Sequence, residues 1–184
     1  RDNQSTLNVV GIYLQDQIVL SSQWQAILGL RHDHITTDFD GVRRLGNDTK
    51  ISESFNITDN LLSPRAGLIY KPIEPLSLYT NYSLSYVPRA GEQLTSLTVT
   101  NQSFEPEKFI NYEIGAKWDV NANLALTAAI YKLERQNVQI QDPNNAALQV
   151  LVDGQQTKGV ELGVAGNITN KWSVFGGYAY QDGE

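Results

Sequence analysis

Amphipathic stretches of roughly ten to thirteen residues recur along this chain, joined alternately by tight polar turns and by long polar connections, and this rhythm restricts the fold more than any motif. A tilted strand crosses a bilayer in about 9–11 residues, and outer-membrane barrels place short turns on the periplasmic side and longer loops outside. The order of segments predicts an all-β, antiparallel, up-and-down transmembrane β-barrel segment of about eight strands. Standing alone, such a segment is an open curved sheet with two unpaired edges, prone to aggregate without lipid.

Four hairpins carry this reading. The first pairs Leu7 to Leu20 with Trp24 to Phe39 across Ser21-Ser22-Gln23, and the second pairs Ser63 to Pro72 with Leu76 to Pro88 across Ile73-Glu74-Pro75. The third runs from Lys108 to Val120 and from Leu124 to Arg135 across Asn121-Ala122-Asn123. The fourth runs from Thr157 to Ile168 and from Trp172 to Gln181 across Thr169-Asn170-Lys171. Between the hairpins, residues 40–60, 89–107 and 137–155 read as long loops rich in Asn, Asp, Gln, Ser, Thr and Gly, far above the usual four to six residues.

Alternation is clearest from Ile110 to Trp118. Ile110, Tyr112, Ile114, Ala116 and Trp118 share one face, and Asn111, Glu113, Gly115 and Lys117 the other. Leu62, Ala66, Leu68 and Tyr70 separate in the same way from Ser63, Arg65, Gly67 and Lys71. The apolar set suits lipid and the polar set a wet interior. Trp24, Trp118 and Trp172 lie beside tight turns, as aromatic girdles do at a membrane interface. Leu126, Ala129, Ile130 and Leu133 also fit a helical stripe, but their place in the hairpin series predicts a strand.

Composition excludes several classes. No apolar run approaches the 18 residues of a membrane-spanning helix, and alternating strands dilute their own hydropathy. Twenty acidic residues against 14 basic ones give a net charge of −6, which disfavours nucleic acid as a partner. Cysteine is absent, compatible with passage through an oxidising periplasm. No GxSxG, HExxH or phosphate-binding glycine loop is present, so the sequence predicts no enzyme. The opening Arg1-Asp2-Asn3-Gln4 lacks the apolar core of an export signal, and the ending stops where a strand should enter a loop, so the chain reads as a fragment.

With the hairpins in order, four strings together resemble the barrel domain of TonB-dependent siderophore receptors, especially the ferric-catecholate type. They are YLQDQIVLSSQWQAILGLRHD, LLSPRAGLIYKPIEPLSLYTNYSLSYVPRAGEQ, FEPEKFINYEIGAKWD and TKGVELGVAGNITNKWSVFGGYAYQDGE. The resemblance covers nearly the whole chain. It implies a bacterial outer-membrane transporter that takes up a ferric siderophore, contacts outer-membrane lipid and is driven by TonB with ExbB and ExbD. It implies no resident cofactor, the ferric siderophore being the transported ligand. Such barrels have about 22 strands around a plugged lumen. Residues 1–184 would then be part of the barrel domain, without the plug, the TonB-contacting segment and the final strands.

Candidate ligand contacts are few. Tyr86-Val87-Pro88-Arg89-Ala90-Gly91-Glu92-Gln93 lies at the outer end of a strand, where the family places a Pro-Arg-Ala or similar motif. Haem-binding relatives carry a ligating His in the following loop, and residues 89–107 contain none. Arg43, Arg44 and Arg89 suit an anionic catecholate complex through charge-assisted contacts, Tyr86 could add stacking, and Gln93 closes the same motif. Loop arginines are more often simply solvated.

His32 and His34 invite a metal reading, but in a strand they share a face with Leu28 and Leu30, on the lipid side. Asp38-Phe39-Asp40-Gly41 lacks the bidentate Glu of a calcium loop. The sequons at Asn47, Asn56 and Asn101 arise readily by chance in an Asn- and Thr-rich chain. The competing architecture is a complete eight-stranded barrel serving as anchor or adhesin. It would need β pairing between the first and last strands and one joined network of Arg31, Arg65, Glu113, Lys117 and Glu161. A third reading, a soluble carbohydrate-binding β-sandwich, would bury Trp24, Trp118 and Trp172.

Overall fold

The computed structural model describes residues 2–44, 50–88, 104–152 and 154–184. Eight strands form one antiparallel sheet in the order β1-β2-β3-β4-β5-β6-β9-β10, where β1 is Asp2–Val19, β2 Trp24–Arg44, β3 Lys50–Ile73, β4 Leu76–Val87, β5 Glu107–Asn121, β6 Leu124–Gln136, β9 Gln155–Thr169 and β10 Trp172–Gly183. Two further strands, β7 (Val138–Asp142) and β8 (Asn145–Val152), pair with each other as a separate hairpin. Every neighbouring pair in the large sheet is antiparallel, and no pairing joins β1 to β10 among the described residues. The open edges remove the complete small barrel.

The tight turns have a local cause. Ser21 Oγ accepts from the amides of Gln23 and Trp24, Asn121 Oδ1 from Asn123 and Thr169 Oγ1 from Lys171. A short polar side chain thereby satisfies amides that the ladder leaves free. The segment from Leu126 to Leu133 is strand throughout, so its apolar residues split between the two faces.

Two of the three connections expected to be loops are largely strand. β2 continues to Arg44 and β3 begins at Lys50, so most of residues 40–60 extends the ladder, with Phe39 opposite Phe55. Residues 137–155 contain the β7–β8 hairpin. Asn137 adopts φ 59°, a left-handed geometry that Asn tolerates, and its side-chain amide donates to Glu105 and to the Pro106 carbonyl. Most of residues 89–107 lies outside the described part.

Very little of this sheet is buried. Among the described residues its buried apolar side chains are Ile35, Phe39, Phe55, Leu61 and Ile110, with Val138 buried in the β7–β8 hairpin, whereas Ile114 is 59% and Ile130 55% exposed at mid-strand. The accessible surface is 12360 Å², against roughly 8,900 Å² for a compact water-soluble chain of this size. A single layer with an uncovered apolar face gains its stability only when lipid covers that face.

Candidate functional site

Register fixes which residues share a face. Trp118, Leu126 and Val164 form one cross-strand row on the outer face, followed by Ala116, Ala128, Leu162 and Tyr178, then Ile114, Ile130, Val160 and Tyr180. Near the tight turns Trp24 stacks on Tyr70 with ring centroids 4.4 Å apart, and further up Tyr82 meets Tyr112 at 5.3 Å. The face is therefore an apolar band between two levels of aromatics. His32 and His34 lie on this face beside Leu28 and Leu30, and His34 Nδ1 meets Asn60 Oδ1 at 2.8 Å. No metal-holding group of three or more His, Asp or Glu exists among the described residues.

The opposite face is polar and packs sideways. Arg65 leans over Gly29, its register partner, and its Nη1 donates to Gln15 Oε1 two strands away at 3.2 Å. Tyr131 crosses Gly159 to donate to Gln181 at 3.4 Å, and Tyr79 lies over Gly115 and donates to Glu113 at 2.7 Å. Glycine is needed because a Cβ there would overlap the side chain crossing it. Arg31 forks onto Asp33 at 2.7 Å beside Gly11. These contacts are local: among the described residues the ion pairs are Arg31–Asp33, Lys132–Glu134 and Arg135–Glu107, and none joins Arg31, Arg65, Glu113, Lys117 and Glu161 into one network.

At the loop end of this face, Arg135 ties three strands together. It donates to Glu107 through Nε at 3.0 Å and Nη2 at 2.8 Å, to Gln155 through Nη1 at 2.9 Å, and lies 5.7 Å from the Phe109 ring centroid. Nothing in the sequence marks this cluster, because its members are brought together only by register. Lower down, Gln25, Arg65, Lys71, Tyr79, Glu113 and Lys117 line a groove of about 510 Å³.

The five expected ligand contacts are not brought together by the described residues. Arg43 and Arg44 end β2 opposite Ile51 and Lys50. Tyr86 stands on the apolar face opposite Lys108, in line with Tyr82 and Leu84, and not on the face that carries Glu107 and Arg135. Arg89 and Gln93 lie outside the described residues.

One sheet layer with an apolar face, a polar face, girdle aromatics and tight turns at one end is the wall of an outer-membrane β-barrel. The TonB-dependent receptor-like β-barrel family model matches residues 1–184, and the chain belongs to that family, a family of receptors and not of enzymes. The chain is 33% identical to the probable TonB-dependent siderophore receptor PiuA of Acinetobacter baumannii, over all of this chain and 25% of the relative. It is 31% identical to the metal-pseudopaline receptor CntO of Pseudomonas aeruginosa, over 99% of this chain and 25% of that one. Among solved structures, the closed form of the ferric-catecholate import receptor Fiu from Escherichia coli superposes with a TM-score of 0.86 at 25% identity, covering 98% of this chain and 28% of that chain. The PiuA crystal structure gives 0.81 at 31% identity, with coverage of 100% and 26%. The chain thus spans about a quarter of the length of these relatives.

Proposed function

We propose that this chain forms part of the wall of a TonB-dependent transporter that binds and imports ferric siderophores of the catecholate type. The observation that carries the reading is the fit of 98% of the chain to the ferric-catecholate import receptor at a TM-score of 0.86. The physics agrees with it. The apolar face belongs in lipid, and the polar face, with Arg65, Lys71 and Lys117 around one groove, can line a wet interior. Plug, final strands and TonB contact belong to parts beyond these residues, and energy reaches the receptor through TonB with ExbB and ExbD.

Within this reading Arg43, Arg44, Arg89 and Gln93 meet the ligand where strands leave the membrane, since guanidinium groups suit an anionic, ring-rich complex. Tyr86 takes the girdle role that its face gives it. The 31% identity to the metal-pseudopaline receptor favours, as a second reading, a metal complex of a different chelator.

The test is uptake of radioactive iron by the full receptor in a strain lacking its own ferric-siderophore receptors. Saturable uptake of a ferric catecholate that disappears on deletion of TonB is the expected result. Uptake of only a non-catecholate metal complex would move the assignment to the second reading. Uptake of no metal complex by a correctly inserted receptor would overturn both.

A further inference from the structure

The ladder between β6 and β9 ends at Arg135 opposite Gln155, and a separate ladder starts at Val138 opposite Val152. The break has a backbone cause. Asn137 on one leg has φ 59° and Gly154 on the other has φ 109°, both in the left-handed region, so the two legs turn at the same level and β7–β8 stands as a sheet of its own.

A two-stranded hairpin is only marginally stable in water, and this one has an apolar side: Val138 faces Val152 and Ile140 faces Val150, with Ile140 37% exposed. Its support comes from the root. Val138 is buried, the Gly154 amide donates to the Arg135 carbonyl at 3.4 Å, and the Asn137 side chain donates to Glu105 and to the Pro106 carbonyl, just before β5. One guanidinium joins these pieces: Arg135 forks onto Glu107, where β5 begins, and donates to Gln155, where β9 begins. The Arg135 side chain is 35% exposed against 54% for Arg31, so this pair is less screened by water than Arg31–Asp33. The root lies at the loop end of the polar face, about 48 Å along β5 from the tight turn at Asn121.

We propose that Arg135 is a positioning residue for ligand capture: by clamping the strand ends around the β7–β8 hairpin, it holds the hairpin as a preformed arm at the mouth of the barrel, where the ferric siderophore enters. The inference rests on the transport reading above. A hairpin free to swing at Asn137 and Gly154 must be ordered each time a ligand binds, and that ordering weakens binding. A planar guanidinium suits the task, because its fork meets a carboxylate with two parallel donors and leaves a third nitrogen for Gln155, which a lysine ammonium does not reproduce. Standing far from the tight-turn end, the clamp acts on capture and not on the energised step.

The experiment measures radioactive-iron uptake and amide hydrogen exchange of the full receptor, comparing wild type with Arg135→Ala and Gly154→Ala. A Cβ at Gly154 would meet nothing within 4 Å, so that variant strains only the backbone of the bend and leaves the clamp residues in place. Both variants should raise the KM for a ferric catecholate about three- to tenfold with the maximal rate unchanged, and should speed exchange in β7 and β8 but not in the middle of the large sheet. The charge-reversed pair Glu107→Arg, Arg135→Glu should bring KM back toward wild type. Heat-modifiable mobility in gels confirms that each variant is folded. A lowered maximal rate at unchanged KM overturns the proposal, and a reversed pair that behaves like Arg135→Ala overturns the clamp. Uptake by no receptor, wild type included, would defeat the transport reading; uptake by wild type with both variants indistinguishable from it would defeat this proposal alone.

Discussion

The polar face solves one packing problem in two ways. On β1 to β3, glycines are crossed by charged side chains: Arg65 over Gly29, and Arg31 with Asp33 beside Gly11. On β4 to β9, they are crossed by tyrosine rings: Tyr79 over Gly115 and Tyr131 over Gly159. A barrel wall has no second layer to pack against, so large inner side chains lie sideways and glycine supplies the space. The flexible, half-solvated arginines can swing away at little cost, whereas rings hydrogen-bonded through their hydroxyls are fixed in place. The two halves should therefore answer the same substitution differently.

The upper limit is set by a glycine that faces backbone. Gly166 has φ 140°, and a Cβ there would overlap the Asn123 carbonyl oxygen, which no rotamer change relieves. Gly166→Ala should cost about 3 kcal/mol or more, read as a lowered urea midpoint of the refolded receptor in micelles. Gly115→Ala and Gly159→Ala come next, at about 1–3 kcal/mol, because a ring must leave its place. Repeating Gly115→Ala in a Tyr79→Ala background should remove most of that loss, and an unchanged loss would show that the ring is not its cause. Gly29→Ala should cost about 1 kcal/mol or less, since Arg65 reorients into water. Equal costs at Gly29 and Gly115 would break the contrast between the halves. Arg31→Ala should leave the midpoint unchanged, its pair with Asp33 being solvent-screened.

How far the sequence was legible follows from the same physics. Between Ile110 and Trp118, or Leu62 and Tyr70, one face meets lipid, so alternation is strong and strands, turns and faces are readable. Above the band both faces of β2 and β3 carry Asp, Asn, Ser and Thr, alternation fades, and strand reads as loop although the ladder continues to Arg44 and Lys50. The β7–β8 hairpin is hidden for another reason: Val138 and Ile140 alternate with Gln139 and Gln141, but β7 has five residues, too few to read as a membrane-crossing strand. Arg135 and Glu107, 28 residues apart, meet only through register. Tyr86 illustrates the limit for the site: its residue type fits a ligand, but the parity of its position on β4 places it on the apolar face.

The most direct test of the central claim, that the sheet is a barrel wall with lipid on one face and the interior on the other, uses residues 127 to 130 of β6. This segment contains no cysteine, so a fluorophore can be attached to single cysteines introduced one at a time in the full receptor, reconstituted with brominated lipids. Strong quenching at Ala128→Cys and Ile130→Cys, with weak quenching at Thr127→Cys and Ala129→Cys, is the predicted alternation. Equal quenching at all four positions, or the opposite alternation, would contradict the account.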